Sequence, residues 1–338
     1  MAHMDIFNQR AFHAVELADA LDRVPYKPQF LGSLGIFDTK PVRTTTVSIE
    51  ERDGALSLIT TSPRGAPLEQ QEKRKRNIRD FRTVRLAKGD RLMADEIQDV
   101  RAFGTTSEMV AMMQEVMRRN IDLRDDMELT HEHMRLGAIM GQVVDADGTT
   151  VIRDWFDEWG ISQPAEIDFA LGTATTEVRT KCHNVIRTMK RAAAGAWTPS
   201  TTVHALVGDA FFDNLISHKS VKDTYLNWAA ASDLRGNLAF ESFPFGGITF
   251  HNYQGTDDNS TVAVHPDKAH FFPVGARKVF QVAYSPAETF DFANTPGRPM
   301  YPMIIPDRDR NAFVDMEVYS YPLHICTRPH MLQRAKRA

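Results

Sequence analysis

Cysteine is scarce in this chain: 338 residues hold two, Cys182 and Cys326, and no CxxC pair. That scarcity favours a reducing compartment with buried or incidental thiols, one long-range disulfide remaining open. No apolar run is long enough to span a bilayer, and no basic-then-apolar leader opens the sequence, so neither a membrane span nor a secretory signal is expected. An excess of positive charge is missing too. With 40 Lys+Arg against 44 Asp+Glu, tight nucleic-acid binding by the whole surface is not indicated. There is no phosphate loop, no dinucleotide glycine fingerprint and no glycine elbow around a serine. Met1-Ala-His-Met4 offers two starts, a native Met1 or a cloning remnant ahead of Met4.

What the chain does have is a stretch that reaches outward. In Val42-Arg-Thr-Thr-Thr-Val-Ser-Ile-Glu50, Val47 and Ile49 alternate with polar residues at strand period. Asp53-Gly54 signals a turn, and Ala55-Leu-Ser-Leu-Ile59 reads as the returning strand, with Leu56 and Leu58 matching Val47 and Ile49. The loop Ser62-Pro-Arg-Gly-Ala-Pro67, carrying Arg64, and a charged segment from Glu69 to Arg85 follow. So few apolar residues cannot bury a core, which predicts assembly with neighbours rather than catalysis. Lys73 to Lys88 holds eight Lys/Arg and one Asp, a net of +7. Contact with DNA is one reading; a solvated or salt-bridging arm is favoured, because Ile78, Phe81, Val84 and Leu86 interleave with the charges.

Ahead of this stretch, Phe12 to Leu21 reads as a short amphipathic helix before extended chain. Behind it, Thr105-x-x-Glu108 is a capping box opening a long helix that runs past Met140, about 50 Å at 1.5 Å per residue. Val110, Met113, Met117 and Ile121 would form its apolar face, which Leu136, Ile139 and Met140 resume later, and the charged Asp122-Leu-Arg-Asp-Asp126 predicts a helix lying across a surface. Val144 to Ile152 reads as two strands around Asp147-Gly148. A helix is expected from Thr176 to Ala194, a strand at Val203–Val207 and a short helix at Asp209–Ser217. Strands dominate later, at Gly247–His251, His270–Val274, Val279–Ala283 and Phe313–Tyr319. Helices and strands without regular βαβ alternation predict an α+β fold.

Chemical motifs are weak. Thr130-His-Glu-His133 lacks the i, i+4 histidine spacing of a zincin helix, so a surface helix is expected there. Asp145, Asp147 and Gly148 lack the later ligands of a calcium loop. His204 and Asp209 lie near Ser217 and His218 in sequence, with no glycine elbow around a serine. No catalytic, cofactor or metal residues are assigned.

An ordered set of segments is more specific. Leu31-Gly-Ser-Leu-Gly-Ile-Phe37, Val42-Arg-Thr-Thr-Thr-Val47, Ser62-Pro-Arg-Gly-Ala-Pro67, Leu92-Met-Ala-Asp-Glu-Ile-Gln98, Val100-Arg-Ala-Phe-Gly104, Leu136-Gly-Ala138, Val144-Asp-Ala-Asp-Gly148, Phe271-Phe-Pro-Val-Gly275, Ser285-Pro-Ala-Glu288 and Cys326-Thr-Arg-Pro329 span nearly the whole chain. Together they resemble the major capsid proteins of lambda-like tailed phages, the E family. That resemblance implies the Hong Kong 97-type fold. It would divide the chain into an N-terminal arm (1–41), an extended loop (42–98), a peripheral domain (99–175 and 300–338) with a spine helix over about 106–140, and an axial domain (176–299).

The implied role is structural, with no enzymatic activity and no cofactor. Copies would form hexamers and pentamers closing an icosahedral shell around double-stranded DNA, contacted non-specifically. A scaffold protein, a portal and a decoration protein are the implied partners, and the virion, assembled in the host bacterial cytoplasm, the implied location. Residues expected at subunit contacts are Phe37, Val47, Ile49, Asp53, Gly54, Leu56, Leu58 and Arg64. Two other classes stay in view, an encapsulin-like compartment shell and a metal-dependent hydrolase.

Overall fold

The computed structural model describes residues 30–52, 76–97, 108–226, 242–253, 256, 262–310 and 312–338. The chain begins there with a one-turn helix α1 (Phe30–Ser33), β1 (Asp38–Pro41) and β2 (Thr46–Arg52). β3 (Arg76–Arg82), β4 (Leu86–Met93), α2 (Ala94–Ile97) and the 33-residue α3 (Glu108–Met140) come next. β5 (Gln142–Val144), β6 (Val151–Asp154), α4 (Trp155–Glu158) and β7 (Ile167–Asp168) lead to α5 (Val178–Ala192). β8 (Thr202–Val207), α6 (Asp209–Ser217) and α7 (Lys219–Leu226) precede β9 (Ser242–Phe245) and β10 (Ile248–Asn252). Six strands remain: β11 (Lys268–Val274), β12 (Phe280–Tyr284), β13 (Tyr301–Pro306), β14 (Phe313–Ser320), β15 (Pro322–Cys326) and β16 (Gln333–Lys336).

Three sheets of three or more strands organise these elements. The widest runs β7-β16-β11-β8-β10-β9; the others run β1-β12-β15 and β13-β14-β4. The wide sheet and α5 to α7 enclose one core, with Phe169, Val185, Phe211, Phe250 and Phe271 fully buried. A second core joins the lower part of α3 to β12 and β15. A smaller third packs Leu92, Val314, Met316 and Val318 of the β4–β14 pair against Val116, Leu123 and Met127 of α3. Mixed pairing without repeated βαβ units makes the fold α+β.

Helix α3 ends where Gly141 takes φ +88°, a left-handed stop suited to glycine. Its buried stripe is Val116, Asn120, Leu123, Met127, His131, Met134 and Ala138, at helical spacing. The face anticipated from Met117 and Ile121 is therefore displaced, Met117 being 39% exposed, while Leu136 and Ile139, expected on its continuation, are buried at 4% and 1%. Two polar members hid the true stripe. The Asn120 side chain donates to Val116 O at 2.9 Å, and His131 meets the Ser320 hydroxyl at 3.1 Å, so each sits inside with a partner. Nor is His131 a surface residue as expected: it is 1% exposed.

β2 of the reaching ladder pairs antiparallel with β3, from Thr46 opposite Arg82 to Arg52 opposite Arg76. Its described partner is thus the basic stretch. Phe81 explains why: at 2% exposure it anchors β3 in the second core, meeting Trp155 edge-on at 5.4 Å. Asp53, Gly54, Leu56, Leu58 and Arg64, the amphipathic Phe12–Leu21 and the capping Thr105 lie outside the described residues. Val144 to Ile152, in contrast, forms the anticipated pair, β5 with β6, and α6 coincides with the helix expected at Asp209–Ser217.

Candidate assembly interface

Segment 30–37 straps across the body before the chain reaches the ladder. The Leu31 and Gly32 amides donate to the two carboxylate oxygens of Glu132 on α3, at 2.7 and 3.1 Å. Glu132 is 3% exposed and faces the Arg135 guanidinium at 3.3 Å, while the Tyr253 hydroxyl donates to it at 3.4 Å. A carboxylate can hold this buried place only because amides, a cation and a phenol surround it. Phe30 lies on His251, ring centroids 4.8 Å apart, and Phe37 lies between Phe280 at 5.3 Å and His324 at 5.7 Å.

Beyond the strap, β1 runs parallel to β12, and the Ser285 hydroxyl donates to Thr44 O at 2.7 Å. The base of the β2–β3 ladder is then fixed from one face. Val47 stands opposite Phe81 and Ile49 opposite Arg79, and both apolar side chains pack on the second core. Phe37, Val47 and Ile49 thus turn toward their own chain. On the other face Ile78 is 64% exposed.

Much of the described basic stretch is engaged within the chain. Arg79 covers the Trp159 ring at 5.3 Å, Arg85 pairs with Glu288 at 2.8 Å, and Lys88 pairs with Asp126 at 2.5 Å. Farther along, Arg91 grips Asp315 with two hydrogen bonds at 2.7 and 3.0 Å while lying over Phe313. Arg118 and Arg119 hold the Glu115 carboxyl down to about 2 by hydrogen bonding, and Arg119 also binds Asp90 and Glu96. These contacts tie β4 and α2 to the upper half of α3. They give the basic residues structural work of the kind favoured over DNA contact.

The chemical motifs do not converge. His218 binds Thr173 O and the Ser220 hydroxyl, whereas His204 faces His251 at 2.8 Å between ring nitrogens, so His204, Asp209 and Ser217 form no hydrogen-bonded triad. Asp147 accepts from the Thr149 and Thr150 amides and the Thr150 hydroxyl at 2.9, 2.8 and 2.5 Å, which hold its carboxyl well below its ordinary range and make a turn cap of it. Among the described residues, no group of three or more His, Cys, Asp or Glu is placed to hold a metal ion. Cys182 and Cys326 are free thiols in different cores, each pushed up to about 12 by burial.

One surface feature was not anticipated. Phe290, in the 3-10 turn Phe290–Phe292, is fully exposed, while Phe292 two residues on is buried against Tyr301 at 4.8 Å. In sequence the two phenylalanines flank Asp291 symmetrically, and nothing local distinguishes them. Val151 and Ile305 are also about half exposed. Scattered single apolar residues are ordinary on a surface, but a whole Phe ring in water is not.

Comparison with known proteins gives these surfaces a context. The family model described as Phage major capsid protein E matches residues 13–337. The major capsid protein of Salmonella phage Felix O1 is 26% identical over 353 residues, covering 95% of both chains. That of Pseudomonas phage KPP10 is 24% identical over 348 residues, covering 98% of both. A prophage capsid protein from E. coli CFT073 superposes with a TM-score of 0.58 at 13% identity, over 96% of this chain and 99% of the other. The bacteriophage PhiM1 mature capsid gives 0.50 at 11% identity, over 93% and 88%.

Proposed function

The chain belongs to the phage major capsid protein E family, and from that membership we propose how its described surfaces serve assembly. Its fold is the α+β capsid fold of Hong Kong 97 type; its function is to form the capsid shell; it is a structural protein, not an enzyme. Self-assembly into shells makes it a component of the virion. Neither the encapsulin-like compartment nor the metal-dependent hydrolase gains support.

In the arrangement proposed, the ladder is the subunit's reach toward its neighbours. The observation carrying this is the rooted base: β2 and β3 leave the body together with Phe81 sunk in the core, and the segment between their ends, 53–75, is long enough to extend over another copy. Val47 and Ile49 stiffen the root, and contacts with neighbours fall to residues farther out, Asp53, Gly54, Leu56, Leu58 and Arg64. Phe37 acts from the arm's base. Exposed Ile78 and Phe290 join them, because a second copy is the partner a shell supplies to every subunit. Backbone pairing tolerates the slightly different angles of hexamers and pentamers, and several weak interfaces per subunit add up.

The peripheral domain comprises 99–175 and 300–338 around α3, and the axial domain lies within 176–299 on the core of the wide sheet. β12 is better grouped with the peripheral body, since it pairs with β1 and β15, and β16 with the axial sheet. The subunit's partners are a scaffold protein during assembly in the host bacterial cytoplasm, a portal, and double-stranded DNA bound without sequence preference.

Replacing residues 54–74 by a short turn tests the ladder's role. The variant is expected to melt within about 2 °C of the parent, because the removed residues lie beyond the rooted base. Light scattering and negative-stain imaging, with the cognate scaffold co-expressed, should then find no shells. Closed shells from the shortened chain would refute the ladder's role.

A further inference from the structure

Two pairs of histidines lie where the strap crosses the body, and one member of each pair touches it. His204 and His251 stack at 5.1 Å between centroids and 16° between planes, with facing ring nitrogens 2.8 Å apart, and Phe30 covers His251. His131 and His324 meet edge-on at 5.6 Å, and Phe37 covers His324. The strap therefore rests an aromatic ring on each pair, with the Glu132 contacts near its start.

We propose that segment 30–37 is a proton-released strap, seated on one neutral imidazole of each pair and lifted from the body when His251 or His324 takes a proton. The ring environments carry this. His324 is 2% exposed, and neither ring nitrogen has a hydrogen-bond partner. His131 uses one nitrogen on Ser320, and its other nitrogen has none. In the second pair the nitrogens face each other, the far nitrogen of His204 meets the Thr202 hydroxyl at 3.1 Å, and that of His251 is unpartnered.

The groups facing these rings offer an incoming proton no counter-charge that is not already committed. From α3 comes the Arg135 cation, which repels charge on His131 and His324 and is itself paired with Glu132 and Glu128. β12 contributes Tyr284. Tyr253, just after β10, is committed to Glu132, and Phe272 of β11 flanks His204 at 6.0 Å. A charged imidazole here is an unpaired buried cation, and hydration relieves that state. For His251 and His324 the rings that stand in the way are Phe30 and Phe37.

Burial pushes His131 down to about 3 and His251 down to about 4, and lowers His204 and His324 as well. The sign follows. Neutral rings favour the seated strap, so the stabilisation is complete above the ordinary imidazole value near ~6.5 and is lost as pH falls toward the folded-state values. His251 and His324, the two rings the strap touches, each shift the seated-to-lifted ratio by about tenfold per pH unit within that window.

Hydrogen exchange of the full-length unassembled chain, corrected for intrinsic pH dependence, reads this directly. Amide protection over 30–37 should fall by about ten- to a hundredfold between pH 6.5 and 5, before β8 and β11 lose theirs. The double variant His251→Phe/His324→Leu should change by less than about threefold over the same range. Glu132→Gln should lower protection at every pH and keep the slope. Should the double variant fail to fold, the parent and Glu132→Gln still decide the matter. Loss of protection simultaneous with the sheet, a slope preserved in the histidine variant, or a slope abolished by Glu132→Gln would each overturn the strap.

Discussion

Among the described glycines, Gly297 has the tightest surroundings. A Cβ there would stand 1.9 Å from the Tyr284 carbonyl oxygen and 2.3 Å from its carbon, both backbone atoms that cannot swing aside. Its amide meanwhile donates to Val42 O at 2.9 Å, so the glycine lets the loop before β13 lie flat on the β1–β12 junction. Gly297→Ala should cost about 3 kcal/mol or more in chemical denaturation. Gly172→Ala, with open space around its Cβ, should gain about 0.4–1 kcal/mol by restricting the unfolded chain. The two thiols offer another residue-scale check. Raised to about 12 and buried, Cys182 and Cys326 should resist alkylation at pH 8 in the folded chain and react within minutes in denaturant. Rapid labelling of the native protein would contradict their placement.

At the scale of elements, the long helix shows how far the sequence can be read. Its length and stop are visible, since 33 residues without proline end at a glycine. Its inward face is not, because Asn120 and His131 look like surface residues until Val116 O and Ser320 are brought to them. Met127→Ala should therefore cost about 2–5 kcal/mol, while Met117→Ala, on the same helix but exposed, should cost well under about 1 kcal/mol. Equal effects would restore the face drawn through Met117. The ladder teaches the same lesson from strands. Periodicity marked Val47 and Ile49, but period alone cannot choose a partner, and the choice fell on β3 because Phe81 can reach the core while its charged neighbours stay in water. β15 escaped notice altogether: all five residues are buried, so no alternation betrays it, and His324 in its middle reads as polar.

For the whole molecule, family membership was legible through short ordered segments spread along the chain, although no one of them fixes the architecture. The sheet order was not legible, because it depends on pairings across great sequence distances. β4 meets β14 from Leu86 opposite Ser320 to Met93 opposite Phe313. β12 needs β15, and β11 needs β16. Each of the three sheets thus takes one strand from residues 313–336. A chain ending before Phe313 should lack cooperative unfolding and fail to give a dispersed amide spectrum, whereas a local role for those strands would leave the wide sheet folded.

That distribution of strands has a consequence for synthesis. On the ribosome, the residues up to 312 emerge with all three sheets still short of a member and their apolar faces open, and closure waits for residues 313–336. Polysomes crowd such nascent chains side by side, where premature pairing between them would be irreversible. Because β14, β15 and β16 follow their partners in the chain, no copy finishes its sheets, or is competent to meet another, before residues 313–336 have been made. The order of translation then works as a clock for the production line.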